Sequence, residues 1–97
     1  MQTIEFTPEA IEDLASLRKF DQVRIVAELE GQLTHEPTVE TRNKKRLRPN
    51  KLAEWVLRVD KFRVFYDWFP DGGIVKVIAI GQKEGNDLYI HGERYEL

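Results

Sequence analysis

The sequence predicts an α+β domain in which a helical hairpin packs on one face of a mainly antiparallel sheet, with elements in the order β-α-α-β-β-β. Three observations carry this expectation. Apolar residues between Ile11 and Leu33 recur every three or four positions, in two adjacent runs. Two later segments, Glu54–Asp60 and Arg63–Phe69, alternate with period two. A third, Ile74–Gly81, is apolar on both faces apart from Lys76, as befits a central strand. With 97 residues, 41% hydrophobic and 33% charged, residues 1–97 read as one domain with a single modest core.

Each element follows from local chemistry. Ile4-Glu5-Phe6 alternates and reads as a first strand. Thr7-Pro8-Glu9 supplies an N-cap, a proline at the first helical position and an acid in the first turn. Ile11, Leu14 and Leu17 then predict a helix over 8–18. Phe20-Asp21 reads as a brief break, and Val23, Val26, Leu29 and Leu33 predict a second helix over 22–33. Gly31 weakens that helix by about 1 kcal/mol relative to alanine, and Pro37 closes the segment. A polar connection leads to the first alternating strand, where Trp55, Leu57 and Val59 oppose Glu54, Val56, Arg58 and Asp60. In the next, Val64, Tyr66 and Trp68 oppose Arg63, Phe65, Asp67 and Phe69. The aromatic residues Trp55, Tyr66 and Trp68 fall on the helix-facing side and read as core. Pro70-Asp71-Gly72-Gly73 is a strong turn signal, Gly85-Asn86 turns the chain again, and Asp87–Leu97 reads as a short strand or a docked tail.

Composition narrows the chemistry. There are no cysteines, so disulfides, thiolate catalysis and Cys-rich zinc sites are excluded. His35 and His91 lie far apart without ligand spacing, so neither a metal nor any other cofactor is expected. No apolar run approaches the roughly 18–20 residues of a membrane span, and the first residues show no secretory signal. The expected compartment is the cytoplasm.

Charge is unevenly placed. Nine of the fifteen basic residues lie between Arg42 and Arg63, opposed there only by Glu54 and Asp60, while both flanks are acidic and the total is −2. Such a block suits a surface that meets phosphate, or a solvated face. If Asp60-Lys61 forms a two-residue turn, Val59 pairs with Phe62 and Arg58 lies across from Arg63 on the face away from Trp55 and Tyr66. The two guanidinium groups then either join an ion-pair ladder with Glu54 and Asp67 or clamp a phosphate. Asp60-Lys61 lacks the Asn or Gly that such turns favour.

The stretch Trp55–Tyr66, with Phe62-Arg63-Val64-Phe65-Tyr66 at its end, resembles the aromatic-Arg-x-x-Tyr hairpin of the RelE/ParE toxin superfamily. Val77–Lys83 is similar to its central strand ending in glycine and a basic pair, and the helical hairpin, the Pro37 loop and Lys45-Arg46-Leu47-Arg48 occur in the family's order. The resemblance implies a toxin of a type II toxin–antitoxin system. It implies a metal-independent, ribosome-dependent mRNA endoribonuclease if the RelE branch holds, or a DNA gyrase inhibitor if the ParE branch does; fold alone does not choose. A toxin-fold binding module without toxicity is a third reading.

By the same resemblance, Arg63 matches the phosphate-binding arginine, and Arg63 and Arg58 together would hold the scissile phosphate as catalytic residues. Lys83 stands where the nucleases carry a second cation, and Tyr89, six residues on, matches a tyrosine assisting proton transfer; Tyr95 is its rival. Lys44, Lys45, Arg46, Arg48 and Lys51 would grip RNA. Glu54 would act as a general base or merely pair with Arg58 or Lys51. Two departures stand out: Glu54 and Val56 occupy positions where some nucleases carry a lysine pair, and Gln82 replaces one base after Gly81. Expected partners are a cognate antitoxin, the ribosome with its mRNA, and operator DNA only as a toxin–antitoxin complex.

Overall fold

A computed structural model describes all 97 residues. The elements are β1 (Thr3–Phe6), α1 (Pro8–Ala15), α2 (Lys19–Leu33), β2 (Lys44–Arg46), β3 (Trp55–Val59), β4 (Phe62–Phe69), β5 (Ile74–Glu84), β6 (Asp87–Ile90) and β7 (Glu93–Tyr95). The strands form one sheet in the order β2-β3-β4-β5-β6-β7, and β1 lies parallel to the first half of β5. All other pairings are antiparallel. The helical hairpin packs on one face, as expected. No helix is long and apolar enough to cross a membrane.

The main core lies between the helices and the sheet. Ala10, Ile25, Leu29 and Leu33 from the helices meet Trp55, Leu57, Val59, Phe62, Val64, Tyr66, Val75, Val77 and Ile80 from the strands. Trp55 and Tyr66 are cross-strand partners with ring centroids 6.3 Å apart, and Trp68 packs against the same cluster. The Tyr66 hydroxyl donates to the Pro37 carbonyl at 2.6 Å, anchoring the connection after α2, and burial raises the pKa of the phenol. A smaller cluster of Ala53, Phe65, Ala79 and Ile90 lies on the opposite face, which carries no helix.

The hairpin register is the expected one: Val59 pairs with Phe62 and Arg58 with Arg63. The unpromising turn forms because Asp60 adopts φ +52°, a left-handed conformation that aspartate tolerates better than most residues, while its carboxylate meets Arg24 at 3.0 Å.

Three expectations are corrected. The interhelical break falls at Ser16–Arg18 rather than Phe20-Asp21. Ser16 Oγ bonds the Asp13 carbonyl at 2.7 Å, and Asp21 sits in the first turn of α2, 3.2 Å from Arg18, where a carboxylate favours the helix N-terminus. Accordingly the buried stripe of α2 is Ile25, Leu29 and Leu33, while Val23 is exposed. The polar connection contains a strand, β2, paired with β3. Asp87 onward forms a hairpin rather than one strand or a tail, its turn made by His91 and Gly92 at positive φ.

The expected central strand, β5, also carries a feature that its uniformly apolar sequence does not announce: its alternation is broken. Phe65 pairs with Ala79 but Tyr66 pairs with Val77, so Ile78 is an extra residue in a β-bulge. Residues of α1 and its cap satisfy the backbone there. Thr7 Oγ1 caps the helix by accepting from Ala10 N–H at 3.1 Å and donates to the Ile78 carbonyl at 3.0 Å, and Asp13 Oδ2 accepts from Ile80 N–H at 3.0 Å.

Tyr66→Phe should leave the buried Pro37 carbonyl unpaired and lower stability by about 1–2 kcal/mol, read as a reduced urea midpoint with unchanged slope.

Candidate functional site

The sheet face without helices bears a groove of about 440 Å³. Its apolar wall is built from Leu47, Val56, Phe65 and Leu88; its polar groups include Arg63, Lys83 and Tyr95. Three strands deliver them. Arg63 is on β4, one pleat from Phe65. Lys83 is at the end of β5, and Tyr95 lies on β7, opposite Leu88 of β6. Beyond the bulge, Val64 pairs with Ile80 and Arg63 with Gly81, so Ala79, Gly81 and Lys83 share the Arg63 face. Had β5 alternated without interruption, Lys83 would lie with Val75 and Val77, under the helices.

Gly81 serves this groove by having no side chain. A Cβ there would lie 2.9 Å from the Tyr89 carbonyl oxygen and 3.0 Å from Ile90 Cγ1, so β6 could not approach as it does. The Arg63 guanidinium is half-buried and donates through Nη1 to the carbonyls of Asp60 and Phe62, both at 2.9 Å. Its pKa is lowered, first by burial and then by the nearby Arg58 charge. No carboxylate pairs with Arg58 or Arg63, so the ion-pair ladder does not form. Lys83 Nζ makes one long bond, 3.4 Å, to the Asn86 carbonyl, while Arg94 is engaged by Asp87 at 3.2 Å and Glu96 at 3.5 Å. The groove thus offers two cations without acidic partners and a phenol on an apolar floor, a combination suited to an anion carrying a planar or apolar group.

The remaining expected residues are distributed elsewhere. Tyr89 pairs with Gln82 and lies on the helix side of the sheet, in a separate cavity of about 820 Å³ with Phe62, Ile80 and His91. It does not join Arg63 and Lys83; Tyr95 does, because a tight hairpin and not a continued strand follows Tyr89. Arg58 is opposite Arg63 in register but opens onto an edge cavity. Glu54 meets Arg46 at 3.3 Å, its own N–H bonds Asp67 at 2.8 Å, and it immediately precedes β3, four residues or about 13 Å of extended chain from Arg58. Lys44 is only 5% exposed, and its ammonium donates to the carbonyls of Gln32 at 3.1 Å and Glu36 at 2.7 Å, near the C-terminal end of α2. It is therefore withdrawn from any RNA surface. Lys45, Arg46, Arg48 and Lys51 are exposed. Lys45 is opposite Val56 on the groove face, a placement that the sequence conceals because the three basic residues of β2 show no apolar alternation.

No group of three or more His, Asp, Glu or Cys side chains is gathered to hold a metal ion. His91 Nδ1 instead contacts Asp13 at 2.7 Å, tying the last hairpin to α1.

Residues 4–86 match the family model described as the ParE toxin of type II toxin–antitoxin system, parDE. Among solved structures, the chain is similar to one in the crystal structure of the toxin–antitoxin complex RelBE2 from Mycobacterium tuberculosis. The TM-score is 0.72 at 24% identity, covering 84% of this chain and 98% of that chain. That likeness is one of fold. No curated protein matches in sequence. The hairpin bearing Tyr89 and Tyr95 lies outside the matched family span.

Gly81→Ala should force β6 away from β5 and lower stability by about 1–3 kcal/mol, measurable by denaturant unfolding.

Proposed function

The chain belongs to the RelE/ParE toxin superfamily of type II toxin–antitoxin systems, and on that premise we propose that it is an endoribonuclease that cleaves mRNA at the ribosome and so inhibits translation. The observation that carries this reading is the convergence of Arg63, Lys83 and Tyr95 in one groove on the open face of the sheet. In the proposed step, the ribose 2′-oxygen loses its proton to solvent and bonds to the adjacent phosphorus. The bond from phosphorus to the 5′-oxygen breaks, leaving a 2′,3′-cyclic phosphate and a 5′-hydroxyl. Arg63 and Lys83 stabilise the charge that builds on the non-bridging oxygens. Tyr95 delivers the proton that the departing 5′-oxygen takes. Val56 and Leu88, partly exposed over the buried Phe65, form an apolar surface against which a base can rest. Lys45, opposite Val56, supplies a cation beside one of the two positions where related nucleases carry their lysine pair.

An antitoxin partner is part of the proposal, because the similar fold was solved in a toxin–antitoxin complex. The site of action is then the cytoplasm, where ribosomes are, and operator DNA is met only through the antitoxin complex. Arg46, Arg48 and Lys51 assist by drawing in RNA through long-range attraction that salt weakens.

A second reading is inhibition of DNA gyrase without nuclease activity. It is favoured by the match to a family named for ParE toxins and by Glu54 and Val56 at the lysine-pair positions.

The two readings separate on induced expression in bacteria, following growth, mRNA integrity and the DNA-damage response together. Arg63→Ala, Lys83→Ala and Tyr95→Phe should each lower mRNA cleavage by about 100-fold or more and relieve growth arrest, while Tyr89→Phe should leave both nearly unchanged. Intact mRNA with a DNA-damage response in the parent protein would instead establish the gyrase reading.

A further inference from the structure

The edge cavity at the end of the β3–β4 hairpin has a chemistry of its own. It measures about 460 Å³ and is lined by Arg24, Glu28, Arg42, Asn43, Arg58 and Asp60. Asp60 pairs with Arg24 at 3.0 Å, and Glu28 is turned to the Gln32 amide, from which it accepts at 2.6 Å, so the three arginines outnumber the two acids by one. Arg42 and Arg58 have no ion-pair partner and make no side-chain hydrogen bond within the chain. Their backbones are nevertheless fixed, because Arg58 N–H donates to the Asn43 carbonyl at 2.8 Å, next to Arg42. The fold thus holds two unpaired guanidinium groups at one polar cavity.

A second observation points to an anion. Arg58 is opposite Arg63, and its charge helps lower the Arg63 pKa. Like charges directly opposite one another across a strand pair oppose folding, and no carboxylate forms an ion pair with either arginine. Two phosphates, one in each cavity, would neutralise it, and the cross-strand register makes the two cavities neighbours.

We propose that Arg42 and Arg58 form a subsite for a second backbone phosphate of single-stranded RNA, beside the phosphate held by Arg63 and Lys83. Arg58 is here a positioning residue that sets the strand in register and does not touch the reacting phosphorus. Arg24 stays with Asp60 and stiffens the turn. The inference rests on the RNA reading of the groove and adds a direction: the strand leaves the groove over the β3–β4 turn toward α2.

The test is the binding of a short fluorescein-labelled single-stranded RNA, its 2′-hydroxyls methylated, measured across a range of salt concentrations. Arg42→Ala and Arg58→Ala should each weaken binding and reduce the slope of log affinity against log salt by about 0.7, and the double variant by about 1.4. Arg58→Lys should retain the slope, and Lys19→Ala, on the exposed start of α2, should match the parent protein. Circular dichroism confirms that each variant is folded. If Arg63→Ala weakens binding but Arg42→Ala and Arg58→Ala do not, the subsite is overturned while the groove stands. If none of the three changes binding, both are overturned. Unchanged RNA binding with lost affinity for an acidic antitoxin segment would assign these arginines to a protein partner and also overturn the proposal.

Discussion

The β-bulge at Ile78 is the constraint on which the rest of the arrangement depends. A strand presents alternate residues to opposite faces, so a single extra residue exchanges the faces of everything beyond it. In β5 the first half buries Val75 and Val77 beneath the helices. Past the bulge, Ile80 continues that core while Gly81 and Lys83 turn to the open face beside Arg63. One strand thereby serves the core along its length and still delivers a cation to the groove. The bulge is held by Thr7, which caps α1 and bonds the Ile78 carbonyl, and by Asp13, which takes the Ile80 N–H and contacts His91. The first helix is therefore part of the apparatus that positions Lys83, although it contributes nothing to the groove.

Much of this was legible in the residues. The Thr7-Pro8 helix start and the split of β3 and β4 into an aromatic core face and an arginine face follow from capping chemistry and periodicity, whereas the Arg58–Arg63 register follows only once Asp60-Lys61 is taken as a two-residue turn, which its residues do not favour. The bulge was not legible, because Val77-Ile78-Ala79-Ile80 is apolar throughout and any register satisfies it locally. Its partners, Thr7 and Asp13, lie about seventy residues away in sequence. The tyrosines were exchanged for a related reason. Spacing from the glycine singles out Tyr89, but pairing with Gln82 turns it to the helix side, and only the His91-Gly92 turn brings Tyr95 to the groove. Lys44 read as one cation in a run, whereas two carbonyls near the end of α2 claim its ammonium.

The basic block between Arg42 and Arg63 thus resolves into different jobs. Lys44 is structural, and Arg46 is partnered by Glu54. Lys45 borders the groove, Arg63 lies within it, and Arg42 and Arg58 face the edge cavity. Arg42, Arg58 and Arg63 line these cavities without making an ion pair. A near-neutral protein can then bind a polyanion locally while its acidic flanks limit indiscriminate attraction.

The central claim is that the open face, organised by the bulge, is the one that meets RNA. Its most direct test is to follow the backbone amide resonances of the isotope-labelled protein as a short single-stranded RNA with methylated 2′-hydroxyls is added. The expected result is a set of shifts on Arg63, Phe65, Gly81, Lys83 and Tyr95, with Tyr89 and His91 unmoved. Shifts confined to Phe62, Ile80, Tyr89 and His91, around the helix-side cavity, would contradict it.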